Sequence, residues 1–279
     1  MDAPAPARPV PLGQTETIRI ATFNINGIKA RLEALTRWLK ADAPDVICLQ
    51  EIKSVDEAFP REAVEAAGYN VETHGQKGFN GVAILSKRPL EIVRRGLPGD
   101  DGDEQARYIE ALVPAGRGIV RVASIYLPNG NPLGSEKFPY KLRWLARLEA
   151  HARTLLALEE PLVLAGDYNI IPEPRDARRP EAWVNDALFQ PESRAAWRRL
   201  TALGLTDALR AVTDRADAYT FWDYQAGAFQ KNDGIRIDHL LLSPEAADRL
   251  KGVAIERALR AEEKPSDHVP VVATFAMPD

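Results

Sequence analysis

Short apolar runs that end at polar residues constrain the fold of this 279-residue chain more than any other feature. Residues 46–49 and 162–165 are continuous apolar runs followed by Glu51 and by Asp167 and Asn169, and residues 17–23 alternate apolar with small or polar side chains before Asn24. Runs of this length predict buried β-strands, and they fall far short of the roughly 18 consecutive apolar residues that a membrane-spanning helix needs. The sequence therefore predicts sheets whose strands end in polar side chains.

The remaining pattern mixes helices and strands without a regular strand-helix-strand alternation. It predicts helices at residues 28–39 and 137–158 and a short one before Gly204, and further strands at residues 82–85, 108–113, 119–126, 235–242, 253–255 and 271–275. We expect sheets packed together with helices outside. The hydrophobic content of 45% supports a large core, and no long polar linker divides the chain. We expect one domain over residues 17–279, preceded by a flexible, Ala- and Pro-rich arm over residues 1–16.

The carboxylates at the strand ends predict a cation site. A charge against the edge of a core is costly unless something pairs with it. Mg²⁺ typically takes one or two carboxylates together with waters and substrate phosphate. The chain has a single cysteine, Cys48, and only four histidines, which disfavours a zinc site. For any one of these acids a helix cap or a loop carboxylate is the ordinary explanation, and the repetition at several strand ends favours a metal.

His268 directly follows an acid, Asp267, just before the last predicted strand. A histidine can carry a proton near neutral pH when a carboxylate fixes its tautomer. Asp238 lies within the predicted strand over residues 235–242, where an acid needs a partner. We predict that Asp238 pairs with His268, and a purely structural ion pair stays open as the alternative.

The formal net charge of −4 argues weakly against a nucleic-acid partner, because phosphate contacts usually come from Lys and Arg. Local basic groups are present, although solvated surface is the ordinary explanation for each: Lys87 with Arg88, Arg94 with Arg95, and Arg175 with Arg178 and Arg179. Residues 219–224 are dense in aromatic side chains that suit either base stacking or a core strand. We expect Trp222 in the core and leave Phe221 open.

Taken together, these motifs resemble those of exonuclease III and the related apurinic/apyrimidinic (AP) endonucleases of the endonuclease/exonuclease/phosphatase superfamily. The matching segments are residues 23–27, 49–53, 74–78, 81–86, 94–100, 166–169, 236–238 and 264–268. The Gly-Asp-x-Asn and Ser-Asp-His segments recur across the whole superfamily, including phosphoinositide phosphatases and sphingomyelinases. The Gln-Glu-x-Lys, His-Gly-Gln-Lys-Gly and Arg-Arg-Gly-x-Pro-Gly-Asp segments are narrower and point to the DNA-repair branch.

The resemblance implies an α/β four-layer sandwich, in which two packed mixed β-sheets are flanked by helices and the active site lies at one edge. It also implies a Mg²⁺ site, with Mn²⁺ able to substitute, in which Glu51 is the principal ligand. The other residues implied for that site are Asn24, Asn26, Asp167, Asn169, Asp267 and His268.

The same resemblance implies roles in phosphodiester hydrolysis. Asp167 would orient or deprotonate the attacking water, Asn169 would hold a phosphate oxygen, and Asp238 would fix His268 against the scissile phosphate. Tyr126 matches the active-site tyrosine of the family. Whether the aspartate, the histidine or the tyrosine is the general base stays open.

Substrate contacts are implied as well. Phe221, Ile235 and Ile237 match a small apolar pocket that receives a deoxyribose without its base, and such a sugar flips at little unstacking cost. Asn129 matches a phosphate contact, and Lys53 and Trp222 complete the predicted substrate-binding set.

The leading hypothesis is an enzyme that cleaves double-stranded DNA on the 5′ side of abasic sites and acts as a 3′-5′ exonuclease on 3′ ends. We expect a monomer without membrane association, located in the cytoplasm with the nucleoid. A phosphatase or sphingomyelinase of the same superfamily is one alternative, and a DNA-binding protein that has lost catalysis is another.

Overall fold

The computed structural model describes residues 16–41 and 44–277. Apart from Glu16, the predicted arm lies outside the described residues. Within them the strands are β1 (Glu16–Asn24), β2 (Val46–Gln50), β3 (Asn70–His74), β4 (Val82–Ser86), β5 (Glu91–Arg95), β6 (Tyr108–Ala115), β7 (Gly118–Tyr126), β8 (Leu162–Asp167), β9 (Thr206–Asp207), β10 (Asp238–Leu242), β11 (Leu250–Ile255) and β12 (Val271–Met277). The helices are α1 (Ile28–Ala41), α2 (Arg61–Glu65), α3 (Lys137–Leu156), α4 (Pro191–Ala202), α5 (Ala208–Val212) and α6 (Pro244–Ala247).

The strands form two mixed six-stranded sheets. The first has the order β11-β12-β1-β2-β4-β3, and the second has the order β5-β6-β7-β8-β10-β9. Buried aliphatic side chains from both sheets meet in one cluster, which includes Ile20, Val46, Val122 and Val163. The sheets therefore pack face to face around a shared core, as two-layer sheet packing requires.

Helices cover the outer face of each sheet. Ile28 and Leu35 of α1 pack against the first sheet, and Trp144 and Leu148 of α3 pack with Trp197 of α4 against the second. The predicted four-layer architecture is confirmed. No helix among the described residues is long and apolar enough to cross a membrane.

Burial explains why the short apolar runs form strands. All five residues of β2 and all six of β8 are buried, because each strand lies inside a sheet that is covered on both faces. The thiol of Cys48, in β2, is also buried, and burial raises its pKa. These runs match the expectation from the sequence.

The predicted strand over residues 235–242 was too long at its N-terminal end, because β10 begins at Asp238. The backbone of Ile235 instead exchanges hydrogen bonds with Phe221, with N···O distances of 3.0 Å in each direction. Arg236 donates its backbone N–H to Asp176. Asp238 is therefore the first residue of β10, at the edge of the sheet, and does not lie in the middle of a strand. The segment over residues 219–224 forms only isolated bridges.

The first strand also starts one residue earlier than predicted. Glu16 pairs with Met277 in the register of β1 and β12. Its carboxylate accepts hydrogen bonds from Arg88 and from the backbone N–H of Gly116, which ties the strand end to the second sheet.

Candidate active site

Strand direction brings the predicted site residues to one edge of the sandwich. β1 and β2 are parallel, as are β7 and β8, so their C-terminal ends lie at the same edge of each sheet. β10 and β12 run antiparallel to these strands, so their beginnings lie there too. Asp238 pairs directly with Asp167, and Tyr126 pairs with Asp167 from the other side. Residues far apart in sequence therefore converge.

Asn24 links the two sheets across this edge. Its fully buried side-chain amide donates to Glu51 Oε1 and to Asp167 Oδ2, each at 2.9 Å. Its carbonyl oxygen accepts the backbone N–H of Asn26 at 3.0 Å. One amide therefore orients carboxylates from both sheets toward a common point.

His268 lies between two buried carboxylates. Its Nδ1 is 2.8 Å from Asp238 Oδ2, and its Nε2 is 3.7 Å from Asp167 Oδ2. Burial opposes the charged imidazole, but Asp238 and Asp167 outweigh it and raise the pKa of His268. Burial also raises the pKa of Asp167, and the like charge of the nearby Asp238 raises it further. The geometry places the predicted Asp238–His268 pair at hydrogen-bond distance.

Glu51 stays ionised in spite of burial. Burial would raise its pKa, but the hydrogen bond from Asn24 and the nearby charges of Lys53 and His268 lower it. Tyr126 also lowers the pKa of the same carboxylate. Burial and the adjacent carboxylates raise the pKa of Tyr126 well above its usual value, so its hydroxyl stays protonated.

Three of the residues predicted for a metal site form a group that could hold a cation. Ligand atoms of Glu51, Asp167 and His268 all lie within 4.8 Å of one another. Two carboxylates with a single imidazole suit a hard divalent cation better than zinc, which favours Cys and His. The donor set therefore fits a divalent metal.

Asn169 and Asn129 also line the site. The backbone N–H of Asn169 donates to Asp167 Oδ1 at 2.9 Å, and its side-chain amide donates to the carbonyl of Leu127 at 2.8 Å. The amide of the exposed Asn129 lies 3.4 Å from Asn169 Oδ1. Asn169 is thus held in place through both its backbone and its side chain.

Asn26, Lys53 and Asp267 form a rim beside this group. Lys53 donates to Asn26 Oδ1 at 2.7 Å, and Asn26 donates to Asp267 Oδ1 at 3.1 Å. Lys53 also lies 3.3 Å from Glu51. The structure therefore brings these three residues next to the Glu51 carboxylate, where Lys53 neutralises part of its charge.

A cleft of about 270 Å³ opens onto these side chains. Its polar wall carries the carboxylates, His268 and Tyr126, and its apolar wall carries Trp183, Leu188, Phe221 and Ile237. The Phe221 ring packs against the His268 ring with centroids 5.0 Å apart. Ile235 is buried behind Phe221 and Ile237 in the same small apolar cluster.

Trp222 does not reach this cleft, so its prediction as a substrate contact does not fit its position. The ring is buried, with 1% exposure, and its Nε1 donates to Asn232. It lines a separate cavity of about 530 Å³ beside α5 and β11, which holds none of the other predicted site residues. Neighbouring residues of an irregular segment point to opposite sides, which separates Trp222 from Phe221.

Most of the basic groups considered as phosphate contacts are engaged in ion pairs. Arg88 pairs with Glu16, Arg95 with Glu72, Arg175 with Glu173 and Asp214, and Arg179 with Asp233. Exposed pairs of this kind are worth little energetically. These groups behave as surface charge, in line with the ordinary explanation.

Sequence reasoning missed one residue behind the histidine. The fully buried Thr220 donates its hydroxyl proton to Asp238 Oδ2 at 2.6 Å and accepts the backbone N–H groups of Ile237 and Asp238. It therefore fixes the carboxylate that holds His268. A threonine before an aromatic run carries no signal of this contact, which exists only after folding.

Comparison with known proteins shows which family the chain belongs to. The profile of the Endonuclease/Exonuclease/phosphatase family matches residues 21–268. Exodeoxyribonuclease III of Haemophilus influenzae is 40% identical over 92% of this chain and 100% of its own length. The solved 3′ phosphatase NExo from Neisseria, bound to a product DNA hairpin, is 40% identical with a TM-score of 0.89, and covers 92% of this chain and 99% of its own.

An AP endonuclease structure from Archaeoglobus fulgidus has a TM-score of 0.86 and 38% identity, and the match covers 92% of this chain and 99% of that one. The shared fold, the matched length and the sequence identity all agree. The chain therefore belongs to the endonuclease/exonuclease/phosphatase family, within its group of exonuclease III and AP endonucleases.

Proposed function

We propose that this protein is a Mg²⁺-dependent DNA repair nuclease. It hydrolyses the phosphodiester on the 5′ side of abasic sites and removes nucleotides or blocking groups from the 3′ ends of double-stranded DNA. The observation that carries the proposal is the single cleft that joins the Glu51, Asp167 and His268 group to an apolar wall. The similarity to an exodeoxyribonuclease III, a 3′ phosphatase and an AP endonuclease supports both activities.

Glu51 and Asp167 would hold the cation, with His268 beside them, and Mn²⁺ would substitute for Mg²⁺. The bound cation would neutralise charge on the non-bridging oxygens of the phosphate. Asn24 holds the carboxylates of Glu51 and Asp167 in place for this purpose. Lys53 would offset part of the negative charge of Glu51 and contact the substrate, and Asn26 and Asp267 would line the cation site.

The remaining polar side chains act on the phosphate and on water. Asp167 faces the cleft with one oxygen bound to Asn24 and the other to the backbone of Asn169, an arrangement that orients an attacking water. His268 presents Nε2 to the cleft while Asp238 holds Nδ1, so it donates to the charge that develops on phosphorus-bound oxygen. Asn169 and Asn129 hold further phosphate oxygens.

Damage recognition rests on the apolar wall. Phe221 and Ile237, backed by Ile235, leave room for a bare deoxyribose beside His268. An intact nucleotide must also place its base, and a cleft of about 270 Å³ that already takes the sugar and phosphate leaves little space for one. An abasic sugar also flips at a lower unstacking cost.

We further propose that residues 17–279 act as a single catalytic domain and that the protein works as a monomer. Its substrate places it at the nucleoid in the cytoplasm. Analytical ultracentrifugation of the free protein and of its complex with a short duplex tests the monomer: a dimer in both would contradict it.

The decisive experiment offers the purified protein a duplex with one central abasic site and a second duplex with a recessed 3′ end. With Mg²⁺ we expect a nicked product with a 3′-hydroxyl from the first duplex and shortened strands from the second. EDTA and the Glu51→Ala variant should abolish both reactions, and circular dichroism should show that the variant is folded. Inert DNA together with phosphate release from an inositol phosphate or a phospholipid would refute the proposal.

A further inference from the structure

Lys141 carries an ammonium group in an unusual place. It belongs to α3, its side chain is fully buried, and the ammonium contacts three backbone carbonyls, those of Asn129 at 3.0 Å, Asn169 at 2.5 Å and Ala187 at 3.4 Å. Lysine has three donor hydrogens, so these three acceptors use all of them. No carboxylate among the described residues forms an ion pair with this ammonium.

The three carbonyls belong to three different segments that build the cleft. Asn129 lies in the turn after β7, Asn169 in the turn after β8, and Ala187 in the loop before α4. Asn129 and Asn169 line the cleft themselves, and Leu188 follows Ala187 onto its apolar wall. One nitrogen therefore joins the phosphate-contacting wall to the wall of the sugar pocket.

The surroundings are shaped for this side chain. A Cβ on Gly130 would lie 2.8 Å from Lys141 Cδ, and Gly130 has a φ of +91°, so the turn passes too close to the lysine for any other residue. Ser193 donates to the same Ala187 carbonyl at 2.7 Å, and Asn131 joins the turn to the loop through Asp186 at 3.0 Å. The lysine thus sits at the centre of a dense set of contacts between these segments.

Placing a cation here opposes stability. Taking an ammonium group out of water costs free energy, and the groups within hydrogen-bond distance of it are three neutral carbonyls. An apolar side chain of similar length would avoid that desolvation cost. A charged group kept at a desolvated position next to the active site indicates a role beyond packing.

We propose that Lys141 is a positioning residue that sets the location of Asn129 and Asn169 relative to Asp167 and the scissile phosphate. It contacts no substrate itself. The rigid helix α3 carries the anchor, and the three carbonyls transmit its position to the turns. The inference rests on the proposed role of these asparagines in phosphodiester hydrolysis.

The test compares Lys141→Met with a matched control, Arg121→Met. Arg121 is also a buried cation, but it pairs with Glu110 and Glu160 at the far end of β7 from Tyr126. Both variants should unfold at lower temperature than the wild type. Only Lys141→Met should lower kcat on the abasic duplex, by about 30- to 100-fold, because a misplacement of about 1 Å can cost about a hundredfold. KM should change less than about threefold, since most of the duplex contacts lie elsewhere.

A double-mutant cycle separates positioning from a general structural role. In an Asn169→Ala background, Lys141→Met should cost less than about a third of what it costs in the wild type, because the group that it positions is gone. Equal losses in both backgrounds, or a kcat of Lys141→Met within about threefold of the wild type, would overturn the inference. A similar fall in kcat for Arg121→Met would do the same.

Two further measurements keep the test decisive. If Lys141→Met does not fold, Lys141→Gln takes its place in the cycle, because its amide still serves two of the three carbonyls, and an intermediate loss is expected. The wild type and Glu51→Ala are measured first, so a failure of the proposed function shows as an inactive wild type. In that case the cycle is run on whichever phosphoester the wild type does hydrolyse.

Discussion

Replacing Asp238 with Asn tests the pair on which the proposed chemistry depends most. The Asp238 side chain is completely buried and accepts from Thr220 at 2.6 Å and from His268 at 2.8 Å. Asn has nearly the same shape and keeps one acceptor, so the fold should survive. The change removes the negative charge that holds the imidazolium.

The size of the effect follows from the type of hydrogen bond. A hydrogen bond to a charged group contributes about 1.5–3 kcal/mol, against about 1 kcal/mol for a neutral one. Losing that difference in the transition state lowers kcat by roughly 3- to 30-fold, since about 1.4 kcal/mol corresponds to a factor of ten. Asp238 also raises the pKa of His268, so its loss lowers that pKa and leaves less imidazolium near neutral pH. We therefore expect a fall in kcat of about 10- to 100-fold at about pH 8, with partial recovery toward about pH 6, where the imidazolium re-forms.

Single-turnover nicking of an end-labelled abasic duplex, measured between about pH 6 and pH 8, provides the assay. Glu110→Gln is the matched control, because Glu110 is a buried carboxylate that bonds a histidine, His151 Nε2, at 2.9 Å, at a site remote from the cleft. The control should be less stable and fully active. If Asp238→Asn kept its kcat within about threefold of the wild type at every pH, the Asp238–His268 pair would be structural and the reasoning would be wrong.

Three other outcomes are expected. Mg²⁺ at about a hundred times its Kd should stabilise the native protein by about 2.7 kcal/mol and raise Tm by roughly 5–10 °C, measured by differential scanning fluorimetry. A similar rise in Tm for Glu51→Ala would contradict the metal assignment. Phe221→Ala should enlarge the sugar pocket and lower the ratio of abasic to undamaged nicking by about tenfold or more; an unchanged ratio in a competition assay would exclude Phe221 from discrimination. Burial opposes ionisation of Glu110, but hydrogen bonds from His151, Tyr108 and Arg121 lower its pKa to about 2. Its stabilisation, about 2 kcal/mol after allowance for solvent screening, is therefore present above about pH 4.5 and is lost as the pH falls toward about 2. Urea titrations should show that the free energy of unfolding falls less between about pH 4.5 and about pH 2 in Glu110→Gln than in the wild type.

Local sequence patterns predicted much of the fold. Period-two and continuous apolar runs predicted β2, β4 and β8 within a residue or two, because a strand covered on both faces must be apolar throughout. Weakly patterned edge strands such as β5, whose residues are largely exposed, have no such requirement and were not predicted. The start of β10 was misplaced because Ile235 and Ile237 are apolar for a different reason: they build the cluster behind the cleft.

The site residues, too, could be predicted from the sequence only in part. Carboxylates at the ends of buried strands were visible in the sequence because charge at the edge of a core needs a partner, and the family motifs implied their substrate and roles. Contacts that depend on neighbouring side chains were not visible. Trp222 and Phe221 are adjacent in sequence, yet one is buried beside a second cavity and the other lines the cleft.

By itself the sequence determined the strand-end acids, the histidine and the family to which the chain belongs, because these depend on residue type, order and spacing. Only the tertiary structure decided which of them meet. The Asn24 bridge between the sheets, the support of Asp238 by Thr220, and the three carbonyls around Lys141 join residues up to 143 positions apart. Their distances follow from strand direction and from the packing of the two sheets, and those are properties of the whole fold that no local stretch of residues encodes.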